Sequence, residues 1–274
     1  MSNGSIKPVG PITSYGINEV EAAFRSLQSG KSMGKLVITP QPGDLVQAIA
    51  PKKTTSLFKE DASYLIVGGT GGLGCSIARW MASRGAKYIC LSSRRANITP
   101  RLEGLISDLA KLGTTVSVRA CDAADSKSVE ILVNDLKKEG PIRGVIQGAM
   151  VLKDVLYEQM TLDDFNTVVN PKVAGTLNLH KSLGTSELDF FIALSSVAGI
   201  VGNRGQAAYA AANVFLDTFM ARRNAKGLPG TSLDLTAVSD VGYLADNSER
   251  AADVLRNLGG ETIEECEILS LIHI

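Results

Sequence analysis

Only two histidines and four cysteines occur in the 274 residues. Cys75, Cys90, Cys121 and Cys266 are scattered, without a CxxC pair or metal-ligand spacing. The pattern argues against a zinc site or a disulfide framework and for reduced thiols in a cytoplasmic protein. Net charge is lacking as well, with 28 Lys and Arg against 28 Asp and Glu. There is then no electrostatic case for nucleic acid or an anionic membrane surface as a partner. No apolar run approaches the roughly 18 residues of a membrane span. The opening Met1-Ser-Asn-Gly-Ser-Ile-Lys has no apolar stretch of the kind a signal peptide carries. Length suffices for one sizeable domain plus an appendage.

What is present begins with Gly68-Gly69-Thr70-Gly71-Gly72-Leu73-Gly74. An apolar run, Tyr64 to Val67, precedes it, and a helical pattern with Leu73, Ile77, Trp80 and Met81 on one face follows. Strand, glycine turn and helix in that order place a dinucleotide pyrophosphate on a helix N-terminus. The spacing Gly68-x-x-x-Gly72-x-Gly74 departs from GxGxxG and resembles the looser turn of short-chain dehydrogenases. Glycines also make tight turns with no ligand, so the placement carries the reading.

Beyond residue 60, apolar strands alternate with helical periodicity: Tyr64–Val67, Tyr88–Leu91, Val116–Arg119, Gly144–Gln147, Phe190–Leu194 and Thr231–Leu235. Helices fall between them, one with Leu102, Leu105 and Leu109, another with Val129, Leu132, Val133 and Leu136. Such βα units predict an α/β fold with a doubly wound parallel sheet and right-handed crossovers. Thr161-x-x-Asp164 reads as a capping box opening a further helix. Residues 1–59 differ. Asn18-x-x-Glu21 is expected to cap a helix with Val20, Phe24 and Leu27, a strand follows at Lys35–Thr39, and Pro40 to Ser56 reads as a linker. At the other end, a helical pattern (Ile263, Cys266, Ile268, Leu269) leaves no sequence for a seventh strand. Residues 269–274 match the translation of a transposase end used in sequencing libraries and read as non-native; an Ile/Leu-rich helix end is the alternative.

In a dinucleotide fold an acidic residue about 20 positions past the glycines binds the ribose 2′-hydroxyl, whereas an arginine accommodates a 2′-phosphate. Here the second strand ends Ser92-Ser93-Arg94-Arg95, which favours NADPH over NADH. Asp122, before Ala123, ends the third strand where a carboxylate can accept from the adenine amino group; a helix cap is the competing role. Gly148-Ala149 can let backbone approach the nicotinamide ribose. Carbonyl reduction also needs a proton donor, and tyrosine, with an ordinary pKa of about 10, needs a nearby ammonium to serve. Tyr209 follows Ser196 by 13 residues, so Ser196 can hold the carbonyl oxygen while Tyr209 protonates it. Asn213 occupies the position where simple short-chain dehydrogenases have lysine, but Lys172 stands 24 residues before Ser196.

That exchange of lysine and asparagine is where the chain resembles the ketoreductase domain of modular and iterative polyketide synthases. Residues 64–268 are similar throughout: the glycine loop, Leu-Ser-Ser-Arg, Val-Ile-Gln-Gly-Ala-Met, Pro-Lys-Val-Ala-Gly-Thr, Ser-Ser-Val-Ala-Gly and Gln-Ala-Ala-Tyr-Ala-Ala-Ala-Asn. Fungal highly reducing synthases fit best, because Ala22 to Lys35 looks like the tail of an enoylreductase domain. The resemblance implies a catalytic tetrad of Lys172, Ser196, Tyr209 and Asn213. It implies NADPH held by Gly68, Thr70, Gly71, Gly72, Leu73, Gly74, Ser93, Arg94, Asp122, Ala123, Gly148, Ala149, Lys172 and Tyr209. It implies as substrate a β-ketoacyl chain on an acyl carrier protein, with the enoylreductase and other synthase domains as neighbours in cis. The expected domains are 1–59, an enoylreductase-like tail plus linker, and 60–274, a Rossmann-type ketoreductase lacking its last strand. Val67 replaces a threonine common in relatives.

In bacterial relatives a Leu-Asp-Asp element accompanies the D-configured alcohol, and a tryptophan eight residues before the tyrosine accompanies the L. Leu152-Lys153-Asp154 keeps the final aspartate and Val201 stands at the tryptophan position. Asp154 is therefore expected to orient substrate toward the D-type, 3R product. Asp163 and Asp164 read as first-turn helix carboxylates, His180 as structural and Cys75 as a core residue. Two other functions compete: a free-standing reductase of small ketones, which Asn213 disfavours, and a non-catalytic scaffold that binds NADPH or props neighbouring domains.

Overall fold

The structure, a computed structural model, describes residues 10–44, 56–184, 186–240 and 262–272. Two compact units divide it, 1–54 and 55–274. In the first, β1 (Ile12–Tyr15) pairs in parallel with β2 (Lys35–Ile38), and α1 (Val20–Gln28) connects them. The expected cap from Asn18 and Glu21 does not form. A 3-10 turn at Ile17–Glu19 starts the helical run earlier, and Glu19 accepts from the Gly16 N–H at 3.0 Å. Glu21 instead pairs with Arg25 one turn on. Ala23 is buried, while Phe24 and Leu27 are exposed. Most of the expected linker, residues 45–55, lies outside the described residues.

The second unit runs β3 (Ser63–Val67), α2 (Gly72–Ser83), β4 (Tyr88–Ser93), α3 (Pro100–Lys111), β5 (Thr115–Ala120), α4 (Ser126–Glu139), β6 (Ile142–Gln147), α5 (Leu162–Leu183), β7 (Phe190–Ser196), α6 (Ala198–Val201), α7 (Ala207–Ala225) and β8 (Thr231–Leu235). Phe58, ahead of the expected boundary at 60, packs edge-on against Tyr64, Trp80 and Phe190 and belongs to this unit. All sheet pairings are parallel, in the order β5-β4-β3-β6-β7-β8. This is the doubly wound, Rossmann-type sheet that the alternating pattern predicts. Period-two alternation divides its core. Tyr64 and Ile66 face α2 and α3 with Ile77, Met81, Leu105 and Leu109. Leu65 and Val67 face α4, α5 and α7 with Val129, Leu132, Leu179 and Leu216. Past β8 the described residues form a short parallel pair, β9 (Ala237–Val238) with β10 (Thr262–Ile263), and α8 (Glu265–Ile272), whose Ile268 is fully buried in the first layer. Residues 273 and 274 lie outside the described residues.

Chain order reverses between β3 and β6, and a crevice at the carboxyl ends of the strands belongs at such a switch point.

Candidate active site

A cavity of about 450 Å³ occupies that crevice. The glycine turn forms one wall. Gly68 has φ +76°, and a Cβ there would stand 2.8 Å from the Gly148 carbonyl, so the turn lies directly on the end of β6. A Cβ at Gly74 would come within 2.5 Å of Gly69, which seats α2 against the turn. Gly71, the N-cap of α2, is different: a Cβ would meet nothing closer than the Gly68 oxygen at 3.5 Å. Packing does not demand glycine there. The space opens on the cavity beside unpaired helix N–H groups, a cradle that fits a pyrophosphate.

Thr70, Gly72, Leu73, Ser93, Arg94, Asp122, Ala123, Gly148 and Ala149 line the same cavity. Ser93 accepts from the Ala96 N–H at 3.1 Å, and Ala96 sits at φ +47°, which shapes the turn presenting Arg94. Asp122 holds the Ala124 N–H at 3.0 Å, and Asp125, not Asp122, caps α4. The competing role for Asp122 is therefore filled by a neighbour.

The opposite wall is built from α5, β7 and α7. The capping box of Thr161 and Asp164 forms as predicted, with reciprocal hydrogen bonds of 3.1 and 3.0 Å, and Lys153 pairs with Asp164. These contacts, the Lys153 ion pair first, hold the Asp164 carboxyl well below its usual range. Along α5, Pro171 lies inside the helix, and its carbonyl accepts from buried Gln147 at 3.0 Å. The other end of that amide takes the Ala149 N–H at 3.0 Å. Gly175 is needed one turn on, where a Cβ would stand 2.9 Å from the same Gln147 amide.

Lys172 is almost fully buried, and its Nζ donates to the Leu194 carbonyl at 2.7 Å. Burial pulls its pKa down to about 7. Nζ stands 5.5 Å from the centroid of the Tyr209 ring. Burial raises the pKa of Tyr209, while Asn213 and the Ser196 hydroxyl beside it pull the other way. Ser196 ends β7 and lines the cavity together with Lys172 and Tyr209.

Asn213 does not reach the cavity. It is buried one turn beyond Tyr209, donates to the Tyr209 carbonyl at 2.9 Å, and leaves its side-chain oxygen without a partner. Asp154 is also outside the lining, because its carboxylate turns to Gln206 and accepts from that amide at 3.2 Å. Gln206 and Asn203, hydrogen-bonded to each other at 3.1 Å, line the cavity instead. Neither these two nor Gln147 is among the residues that motif spacing singles out. For Gln206 a signal existed: it opens the Gln-Ala-Ala-Tyr run, one turn before Tyr209. His180 lies away from the cavity, bound to Arg223 at 2.6 Å and edge-on to Phe219. The Cys75 thiol is buried, with its pKa raised by that burial.

The arrangement suits addition of hydride and proton across a polar double bond: a dinucleotide cradle on one wall, a hydroxyl pair and a buried amine on the other. Three comparisons bear on it. The model of the KR domain family matches residues 62–240. "Highly-reducing polyketide synthase 1" of Aureobasidium melanogenum is 89% identical over 272 residues, 99% of this chain and 12% of that protein. "Lovastatin diketide synthase lovF" of Aspergillus terreus is 41% identical, over 96% of this chain and 10% of that protein. The chain thus spans about a tenth of the length of these curated relatives. A solved structure described as "A-type Ketoreductases from Modular Polyketide Synthase" superposes with a TM-score of 0.74 at 31% identity, covering 83% of this chain and 48% of that one.

Proposed function

The chain belongs to the KR domain family, and from that premise we propose that it reduces a β-ketoacyl thioester to the β-hydroxyacyl thioester with NADPH. The observation that carries this reading is the convergence of Lys172, Ser196 and Tyr209 with the glycine turn on one cavity. Bound in the cradle of Gly68 to Gly74, the cofactor supplies the hydride. Arg94 at the end of β4 suits a 2′-phosphate, and Asp122 and Ala123 would hold the adenine. Gly148, Ala149 and Lys172 would hold the nicotinamide ribose.

Ser196 holds the substrate carbonyl oxygen by hydrogen bond and so fixes which atom develops negative charge. Tyr209 gives that oxygen its proton. A neutral phenol in a buried setting stays protonated until an alkoxide forms beside it, and a positive Lys172 lowers the cost of the phenolate left behind. Asn213 supports Tyr209 through its backbone carbonyl.

The substrate on this reading is carried by an acyl carrier protein, within a cytoplasmic synthase whose enoylreductase and other domains lie in cis. Residues 1–59 are then the enoylreductase tail and linker. The test is direct: the 274-residue chain is mixed with NADPH and a β-ketobutyryl N-acetylcysteamine thioester, and loss of absorbance at 340 nm is followed together with product mass. Formation of the β-hydroxy thioester is expected. Cofactor binding without turnover of this or a carrier-bound substrate would make the chain a scaffold.

A further inference from the structure

We propose that Asp217 is a positioning residue for this reduction, its carboxylate serving as the counter-charge to the Lys172 ammonium; the role rests on the site reading above. Asp217 follows Tyr209 and Asn213 at successive intervals of four residues on α7, so the three share a helix face. That face packs on α5, which carries Lys172, and on the β7–β8 edge of the sheet.

The carboxylate is anchored from the strand side. The Ser232 hydroxyl donates to Asp217 Oδ1. Asp234, two residues along β8 and so on the same face, lies beside Asp217 and Ser195: burial and the Asp217 carboxylate raise its pKa, and Ser195 lowers it. Ser195 pairs in register with Asp234, and its hydroxyl donates to the Asn213 carbonyl at 3.3 Å. One cluster therefore fixes Asp217 and grips the backbone of Asn213.

Lys172 needs such a partner. A buried ammonium is costly unless a charge compensates it, and its one hydrogen bond goes to a neutral carbonyl. Asp217 is the charge that favours the protonated amine against burial. α4, which also packs on α5, carries Lys127, Glu130, Asp135, Lys137, Lys138 and Glu139, and the other titratable groups on the packed elements are few. Asp234 lies on β8, Tyr209, Arg222 and Arg223 on α7, and His180, engaged with Arg223, on α5. Near the ends of α5 lie Asp163, Asp164 and Lys181; α6 and β7 contribute none. Asp154 acts on Tyr209 from its own loop.

The test is a titration of the full chain, labelled with [13Cε]lysine and free of cofactor, with the Lys172 resonance assigned by its loss in Lys172→Met. Asp217→Asn keeps an acceptor for Ser232 and removes the charge; it is made in an Asp234→Asn background, itself the reference, because Asp234 beside it would otherwise ionise in its place. Its Lys172 midpoint is expected to fall by roughly half a pH unit or more, and Asp217→Glu to restore most of it. The high-pH limb of the rate profile should fall in step, with activity below that limb retained. An unmoved midpoint in a folded Asp217→Asn protein overturns the proposal. If that variant fails to melt cooperatively, Ser232→Ala, which frees the carboxylate from its anchor, decides: a smaller downward shift upholds the proposal and no shift overturns it. The resonance reports protonation without turnover, so a chain that reduces nothing refutes the reductase reading alone.

Discussion

Lys172 and Tyr209 stand on different helices, α5 and α7, yet the amine nitrogen lies 5.5 Å from the centre of the phenol ring and is tied to the Leu194 carbonyl of the strand between. The ring and the strand together enclose the amine. That enclosure makes its protonation a property of the fold.

Stability is the first consequence. Lys172 titrates at about 7 in the folded chain against an ordinary 10.5, so between those values the unfolded state binds more protons. Stability then rises with pH across this window, and the penalty is complete below it. Lys172→Met removes the group. Its stability advantage over the parent chain should be largest near about pH 6.5 and shrink toward about pH 10, by on the order of a few kcal/mol. Urea melts of the cofactor-free proteins at both ends check this; a difference independent of pH would contradict a suppressed amine.

Tyr209→Phe deletes the proton donor and little else. Turnover of the β-ketoacyl thioester should fall by about 10²- to 10⁴-fold, with the affinity for NADPH, read by fluorescence, nearly unchanged. Near-full turnover in the variant would mean that another group delivers the proton.

Arg94 lines the cavity where β4 ends. Arg94→Ala is expected to raise the KM for NADPH far more than that for NADH. Equal effects on the two cofactors would remove Arg94 from any 2′-phosphate site.

Two glycines of the turn separate packing from binding. Gly68→Ala forces a side chain at φ +76° into the Gly148 carbonyl at 2.8 Å, a strain of about 1–3 kcal/mol, and should lower the melting temperature. Gly71→Ala meets only ordinary contact at 3.5 Å. It is expected to melt like the parent chain and bind NADPH more weakly. A Gly71→Ala protein with unchanged affinity would place the pyrophosphate elsewhere.

The strands were legible because β3 and β4 are short apolar runs bounded by glycine or polar turns, and the helix of α5 because Thr161 and Asp164 sit at capping spacing. The same spacing at Asn18 and Glu21 misled, since Glu19 reaches back to Gly16 and nucleates a 3-10 turn first. Motif spacing also pointed to Lys172, Ser196 and Tyr209, which the fold gathers on one cavity. Gln206 was legible only as the opening residue of the Gln-Ala-Ala-Tyr run, and the contacts of Gln147, Gln206 and Ser232 were not legible. Their partners are Pro171, Asp154 and Asp217, on other elements, and no local pattern in a chain records a contact made across the sheet.

Product stereochemistry is expected to turn on Asp154 and Gln206. Asp154 stays behind the cavity wall and accepts from Gln206 at 3.2 Å, while Gly205 is tied through its carbonyl to the Val155 N–H at 2.9 Å. The loop carrying the aspartate thus fixes the side chain that lines the mouth. Val201, at the position where a tryptophan accompanies the L alcohol in bacterial relatives, is exposed and far smaller. A thioester arm entering past Gln206 would present one ketone face to a nicotinamide held by the glycine turn and Lys172. The expected product is the D-type, 3R alcohol. Both Asp154→Ala and Gln206→Ala should lower the enantiomeric excess, the second at least as much, since Asp154 acts through the amide it holds. Chiral chromatography of the β-hydroxybutyryl thioester decides it. A dominant 3S alcohol from the parent chain would show that the aspartate does not set the entry side. Loss of selectivity in Asp154→Ala without any in Gln206→Ala would mean that the carboxylate reaches the substrate itself.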